Sequence, residues 1–103
     1  MSIIAFVTCP NIKEARNIAA RLVKERLAAC VNILSGVESL FWWQGKVDSA
    51  QEVLLVIKTR KPLFKKLEKL VKSLHSYSVP EIISIDISAG SREYLGWIKE
   101  STK

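Results

Sequence analysis

The residues able to do chemistry are few. The chain has one histidine, His75, and two cysteines, Cys9 and Cys30. Its only aspartates are Asp48 and Asp86. His75 sits in "LHSYSVPEII" (74–83), beside Tyr77 and Glu81, and Cys9 closes the first apolar run, "SIIAFVTC" (2–9). A thiolate, an imidazole and a carboxylate brought together suit a borderline metal such as copper or zinc. The spacing matches no recognised metal motif. The alternative is a buried strand-end cysteine and a loop histidine bonded to the backbone. A Cys9–His75 nucleophilic dyad is the third option, but nothing in the pattern supplies an oxyanion hole or an orienting third group. No Gly-x-Ser-x-Gly elbow, phosphate-cradling glycine loop or HExxH is present. The expectation is a protein that is not an enzyme.

Whether these groups meet depends on the elements that carry them. "SIIAFVTC" is β-rich and nearly continuous in apolar residues, which predicts a central strand buried on both faces. Asn11 caps a following helix, and Glu14 three residues on completes a capping-box pattern. Ile12, Ala15, Ala19, Leu22 and Val23 line one face of that helix, which is expected to end near Leu27. From Ala29 to Lys58 the pattern is strand. Gly36 marks a bulge in it, and Gln44–Gly45 is the hairpin turn. Trp43 then pairs with Lys46, Trp42 with Val47, and Phe41 with Asp48. Pro62 opens a second helix, with Leu63, Leu67, Leu70, Val71 and Leu74 as its stripe. "EIISIDIS" (81–88) is an alternating strand. Gly90–Ser91 leads into a short last helix with Tyr94, Leu95, Trp97 and Ile98 on its apolar side.

The order β-α-β-β-α-β plus a C-terminal helix predicts an α+β, ferredoxin-like antiparallel sheet with both main helices on one face. Residues 1–103 read as one domain. In this topology Cys9 and Cys30 lie at opposite ends of the sheet, too far apart for a disulfide. The second helix delivers His75 to the Cys9 end, where strand 4 also begins. Cys9, His75, Tyr77 and Glu81 are therefore expected at one edge. The other face of the sheet is left with apolar residues and little to cover them. That condition signals a partner, most simply further copies of the chain. Trp42 and Trp43 are adjacent, so they point to opposite faces. One is expected in the subunit core or its rim and the other between copies.

Composition narrows the class. Apolar residues make up 49% of 103 and charged residues 25%, as in a soluble globular protein. No apolar run approaches the ~20 residues of a membrane helix. "MSIIAFVTCP" has no basic region before its apolar run, which argues against a signal peptide. The expected address is the cytoplasm. The net charge of +6 invites a nucleic-acid reading. Yet much of it is Lys61, Lys65, Lys66, Lys69 and Lys72, which fit the solvent face of one helix. No nucleic-acid motif accompanies them. Neither nucleic acid nor membrane is an expected partner.

Five segments together, "ERLAACVNI" (25–33), "FWWQGKV" (41–47), "EVLLVIKT" (52–59), "LHSYSVPEII" (74–83) and "YLGWI" (94–98), resemble the CutA family of divalent-cation tolerance proteins. The resemblance covers essentially the whole chain. It implies a ferredoxin-like subunit similar to the PII signalling proteins, and a homotrimer whose sheets pack around a three-fold axis. It also implies a cytoplasmic protein with no established catalysis, linked to the response to metal ions and to binding of copper or another divalent cation. In bacterial relatives the metal ligands are a first-strand cysteine and two adjacent histidines before Pro-Tyr. Here those positions hold Val7, Leu74 and His75, and Ser76 stands before Tyr77 in place of the proline. Cys9, two residues beyond Val7 on the same strand face, is a substitute ligand. Cys30 matches the family's "AAC" cysteine and reads as structural or interfacial first, and as a metal ligand second. The expected metal set is His75, Cys9 and Glu81. A PII-like alternative places a small anionic ligand between subunits, with Lys46, Lys58, Tyr77 and Glu81 as its candidates.

Overall fold

The computed structural model describes residues 1–103. Its elements are β1 (Ser2–Cys9), α1 (Ile12–Lys24), β2 (Cys30–Trp43), β3 (Lys46–Arg60), a 3-10 turn (Lys61–Leu63), α2 (Phe64–Leu74), β4 (Ile82–Asp86) and α3 (Arg92–Ser101). The four strands form one sheet in the order β2-β3-β1-β4, and every neighbouring pair is antiparallel. This is the ferredoxin-like arrangement expected of the element order.

Alternation along β1 sets the two faces. Ile3, Ala5, Val7 and Cys9 are buried. All but Ile3 join Val53, Leu55 and Ile57 of β3 in a core beneath α1 and α2. The opposite face of β1 is only half-buried, so the expectation of burial on both sides is corrected for the single chain. The cause is the absent second layer. Both crossover helices pack on one side, and the short α3 packs chiefly against β3 and β1. Ile83 and Ile85 pair with Phe6 and Ile4 on that open face. They are 53% and 54% exposed.

The long β2–β3 hairpin gives the molecule its 44 Å length. Its turn has Gln44 and Gly45 both at positive φ, the geometry a two-residue hairpin needs. Trp43 pairs with Lys46, Trp42 with Val47 and Phe41 with Asp48, as the turn dictates. The register shifts between Leu34 and Val37, with Gly36 at φ 77° inside the irregularity. Alternation beyond the bulge puts Trp43 on the open-face side and Trp42 on the other. Both rings are exposed, at 57% and 76%.

Four local expectations are corrected. Helix α1 stops at Lys24, short of Leu27, because Arg26 takes a positive φ and ends the helical run. The buried stripe of α1 is Ala15, Ile18, Ala19 and Leu22. Ile12 and Val23 are displaced from it to 37% and 43% exposure. At helical spacing both fall toward the sides of the helix, turned away from the centre of that stripe. Pro62 lies in the 3-10 turn, and the α-helical geometry begins at Phe64. Strand β4 is trimmed to Ile82–Asp86, the stretch whose partners lie on β1 or just beside it.

Candidate metal centre

Antiparallel pairing brings the end of β1, the start of α1 and the end of α2 to one place. Asn11 accepts the Glu14 backbone N–H at 2.8 Å and fixes the first turn of α1. The Glu14 carboxylate does not complete the capping box. It turns toward the α2 end, accepting the Ser76 N–H at 3.2 Å and lying 3.3 Å from His75 Nδ1. Cys9, Glu14 and His75 consequently offer a sulfur, an oxygen and a nitrogen within 4.8 Å of one another. Cys9 is fully buried and the His75 side chain has no exposed surface.

The hydrogen-bond pattern fixes the roles of the imidazole. Nε2 lies 2.7 Å from the Thr8 carbonyl oxygen, which can only accept, so Nε2 carries a hydrogen. In the neutral ring Nδ1 then holds the single lone pair. It accepts the Tyr77 backbone N–H at 3.1 Å. The Tyr77 ring tilts against the imidazole, with centroids 4.8 Å apart. Burial pushes the Cys9 thiol up to about 12, with the charges of Glu14 and Glu52 adding to it. Without a cation the cluster favours the thiol over the thiolate, and a cation must displace that proton to bind.

The donor set fits a borderline divalent ion. Thiolate, imidazole and carboxylate are the ligand types that zinc and copper sites combine. Nε2–H to a backbone carbonyl is the outer contact that typically orients a metal-ligating histidine. Of the residues expected from the sequence, Cys9 and His75 meet here. Glu81 is not in the cluster. It lines a cavity of about 800 Å³ on the open side of the sheet, together with Trp43, Tyr77 and Glu52. Tyr77 bridges the two regions: its backbone binds His75, and its hydroxyl donates to Glu52 Oε2 at 2.9 Å. Burial raises the Tyr77 phenol to about 12, helped by the Glu52 bond and then by nearby charges.

Sequence reasoning missed Glu14 as a candidate ligand and Glu52 as the partner of Tyr77. The capping pattern gave Glu14 a sufficient local explanation. Its position five residues after Cys9, across one tight strand-to-helix connection, was the available signal. Cys30 lies far away: it pairs with Lys58, whereas Cys9 pairs with Val53. Both thiols are free. Lys58 bonds the Asn32 side chain, and the Cys30 thiol also faces Asn32 at 3.9 Å. Lys46 is at the hairpin turn. The candidates for an anion site are thus spread along the sheet within one chain. The cavity that holds Tyr77 and Glu81 also carries Glu38, Asp48 and Glu52 and no basic residue.

The profile of the CutA1 divalent ion tolerance proteins matches residues 3–101. The chain belongs to that family. It is 50% identical over 102 residues to the divalent-cation tolerance protein CutA of Thermus thermophilus, covering 99% of each chain. The solved structure of the divalent cation tolerance protein (Cut A1) from the same organism superposes with a TM-score of 0.98 over 100% of both chains, at 50% identity. The rice protein CutA 1, chloroplastic, is 47% identical over 102 residues; that match takes in 99% of this chain and 58% of the rice protein. The chain thus spans little more than half of this plant relative. A further solved structure, described as the periplasmic divalent cation tolerance protein CutA from Archaeoglobus fulgidus, has a TM-score of 0.97 and 42% identity over 100% of both chains. The fold and its family are therefore those the five sequence segments implied.

Proposed function

We propose that this CutA family protein is a non-enzymatic binder of copper or another divalent cation, acting in the response to metal ions. The carrying observation is the convergence of Cys9, Glu14 and His75 within 4.8 Å at the sheet end beneath the helices, with Cys9 and His75 buried and Glu14 partly so. Such an ion, when bound, supplies positive charge that offsets the burial of the thiolate and carboxylate. Cys9 and Glu14 provide the anionic ligands and His75 the neutral one. Thr8 holds the imidazole orientation through its carbonyl. The family's divalent-cation tolerance name supports the same class of ligand.

The assembly we propose is a homotrimer. Its support is the uncovered apolar face, where Ile83 and Ile85 stand more than half exposed, together with the exposed tryptophans at the hairpin end. A cytoplasmic address is proposed on the two free, well-separated thiols, which suit a reducing compartment.

Titration of zinc and copper against a competing chelator tests the site. Wild type is expected to bind at least tenfold more tightly than Cys9→Ser, Glu14→Gln or His75→Ala, with Cys30→Ser unchanged. Equal affinity in wild type and all three ligand variants would remove the cluster from metal binding.

A further inference from the structure

The His75 ring has one lone pair and two claimants for it. Nε2–H is committed to the Thr8 carbonyl at 2.7 Å, so Nδ1 is the only atom of the ring that can accept. It accepts the Tyr77 N–H at 3.1 Å. A single lone pair cannot receive that hydrogen and also coordinate an ion. Glu14 is different, because a carboxylate has lone pairs to spare and can keep the Ser76 N–H while ligating.

We propose that ion binding at Cys9–Glu14–His75 is coupled to the position of Tyr77 in the wall of the open-face cavity. The proposal rests on the metal reading above. When Nδ1 ligates, the Tyr77 N–H loses its acceptor, and the segment after α2 must shift to find another or leave the group unpaired. The Tyr77 hydroxyl is tethered 2.9 Å from Glu52 Oε2, on the other side of the sheet, so a shift of its backbone pulls on that tether. Occupancy of a buried site beneath the helices is thereby transmitted to the opposite face, beside Trp43 and Glu81. The effect is reciprocal by thermodynamic necessity. Anything that fixes Tyr77 against Glu52 weakens metal binding, and loss of the tether strengthens it.

The experiment is hydrogen exchange on the full chain with and without saturating zinc, alongside zinc affinities of wild type and Tyr77→Phe. Zinc is expected to lower protection of the Tyr77 amide at least tenfold. The Tyr77→Phe variant is expected to bind zinc about fivefold more tightly, the effect of removing one ordinary hydrogen bond that opposes binding. Zinc bound with Tyr77 protection unchanged, or with equal affinity in Tyr77→Phe, overturns the coupling and leaves the metal site standing. No zinc bound by wild type overturns both.

Discussion

His75 Nε2 donates to the Thr8 carbonyl across 2.7 Å, joining the end of α2 to the last turn of pairing on β1. The two residues are 67 positions apart in the chain. This bond explains why the only histidine is buried yet has its nitrogens satisfied. It also aims Nδ1 at Glu14 and places the imidazole beside Cys9.

Alkaline pH should expose the burial of Cys9. Its folded pKa is raised from 9.0 to about 12, chiefly by desolvation and then by Glu14 and Glu52. Above pH 9 the unfolded chain loses this proton while the folded chain keeps it. Stability is then full below about pH 9 and falls as pH rises toward 12. Tyr77, raised from 10.0 to about 12, adds to the loss in the upper part of that window. Urea unfolding of wild type and Cys9→Ala at pH 8 and pH 10.5 checks this. The variant should show a smaller drop, and an identical drop would contradict the assignment.

The α1 stripe makes a sharp contrast. Ile18 is fully buried, whereas Ile12 is 37% exposed. Ile18→Ala should cost about 2–5 kcal/mol. Ile12→Ala should cost less than about 1 kcal/mol. Denaturant midpoints at constant slope give both values. Similar costs would return Ile12 to the core face.

The cap of α1 should matter to the candidate site as well as to the fold. Asn11 Oδ1 accepts the Glu14 N–H, so it positions the residue that faces His75. Asn11→Ala should lower stability by about 1 kcal/mol. It should also weaken zinc affinity severalfold. A loss of stability with zinc affinity intact would separate the cap from the site.

The open face predicts assembly. Ile85 is 54% exposed and pairs, from the edge strand β4, with Ile4 on that face. If the proposed trimer forms, a charge there, as in Ile85→Lys, should shift its mass in light scattering from three times the 11.6 kDa chain toward smaller species. Joint replacement of Trp42 and Trp43 by alanine should weaken the same assembly. Unchanged mass and melting at low micromolar concentration in both variants would exclude this face and the hairpin tip from the contact.

The sequence by itself determined the element order, the hairpin register and the family. Apolar periodicity separates β1 from α1. The Gln44–Gly45 turn fixes Trp43 opposite Lys46 because a two-residue loop leaves no other pairing. The same order placed Cys9 and His75 at one end, since each crossover reverses the chain direction. Only the tertiary structure decided the third member of the cluster. In the sequence Glu14 fits a capping-box pattern, and nothing in its spacing says whether its carboxylate turns back to Asn11 or across to His75. The outcome is set by where α2 ends in space, because the free Ser76 N–H offers a partner there. Glu81 went the other way for a similar reason. It follows His75 closely in sequence, but the loop carries it past the sheet edge to the open-face cavity, together with Glu52 and Trp43. Neighbours along a chain are dictated by covalent bonds; neighbours at a sheet end are chosen by the packing of elements that the sequence lists far apart.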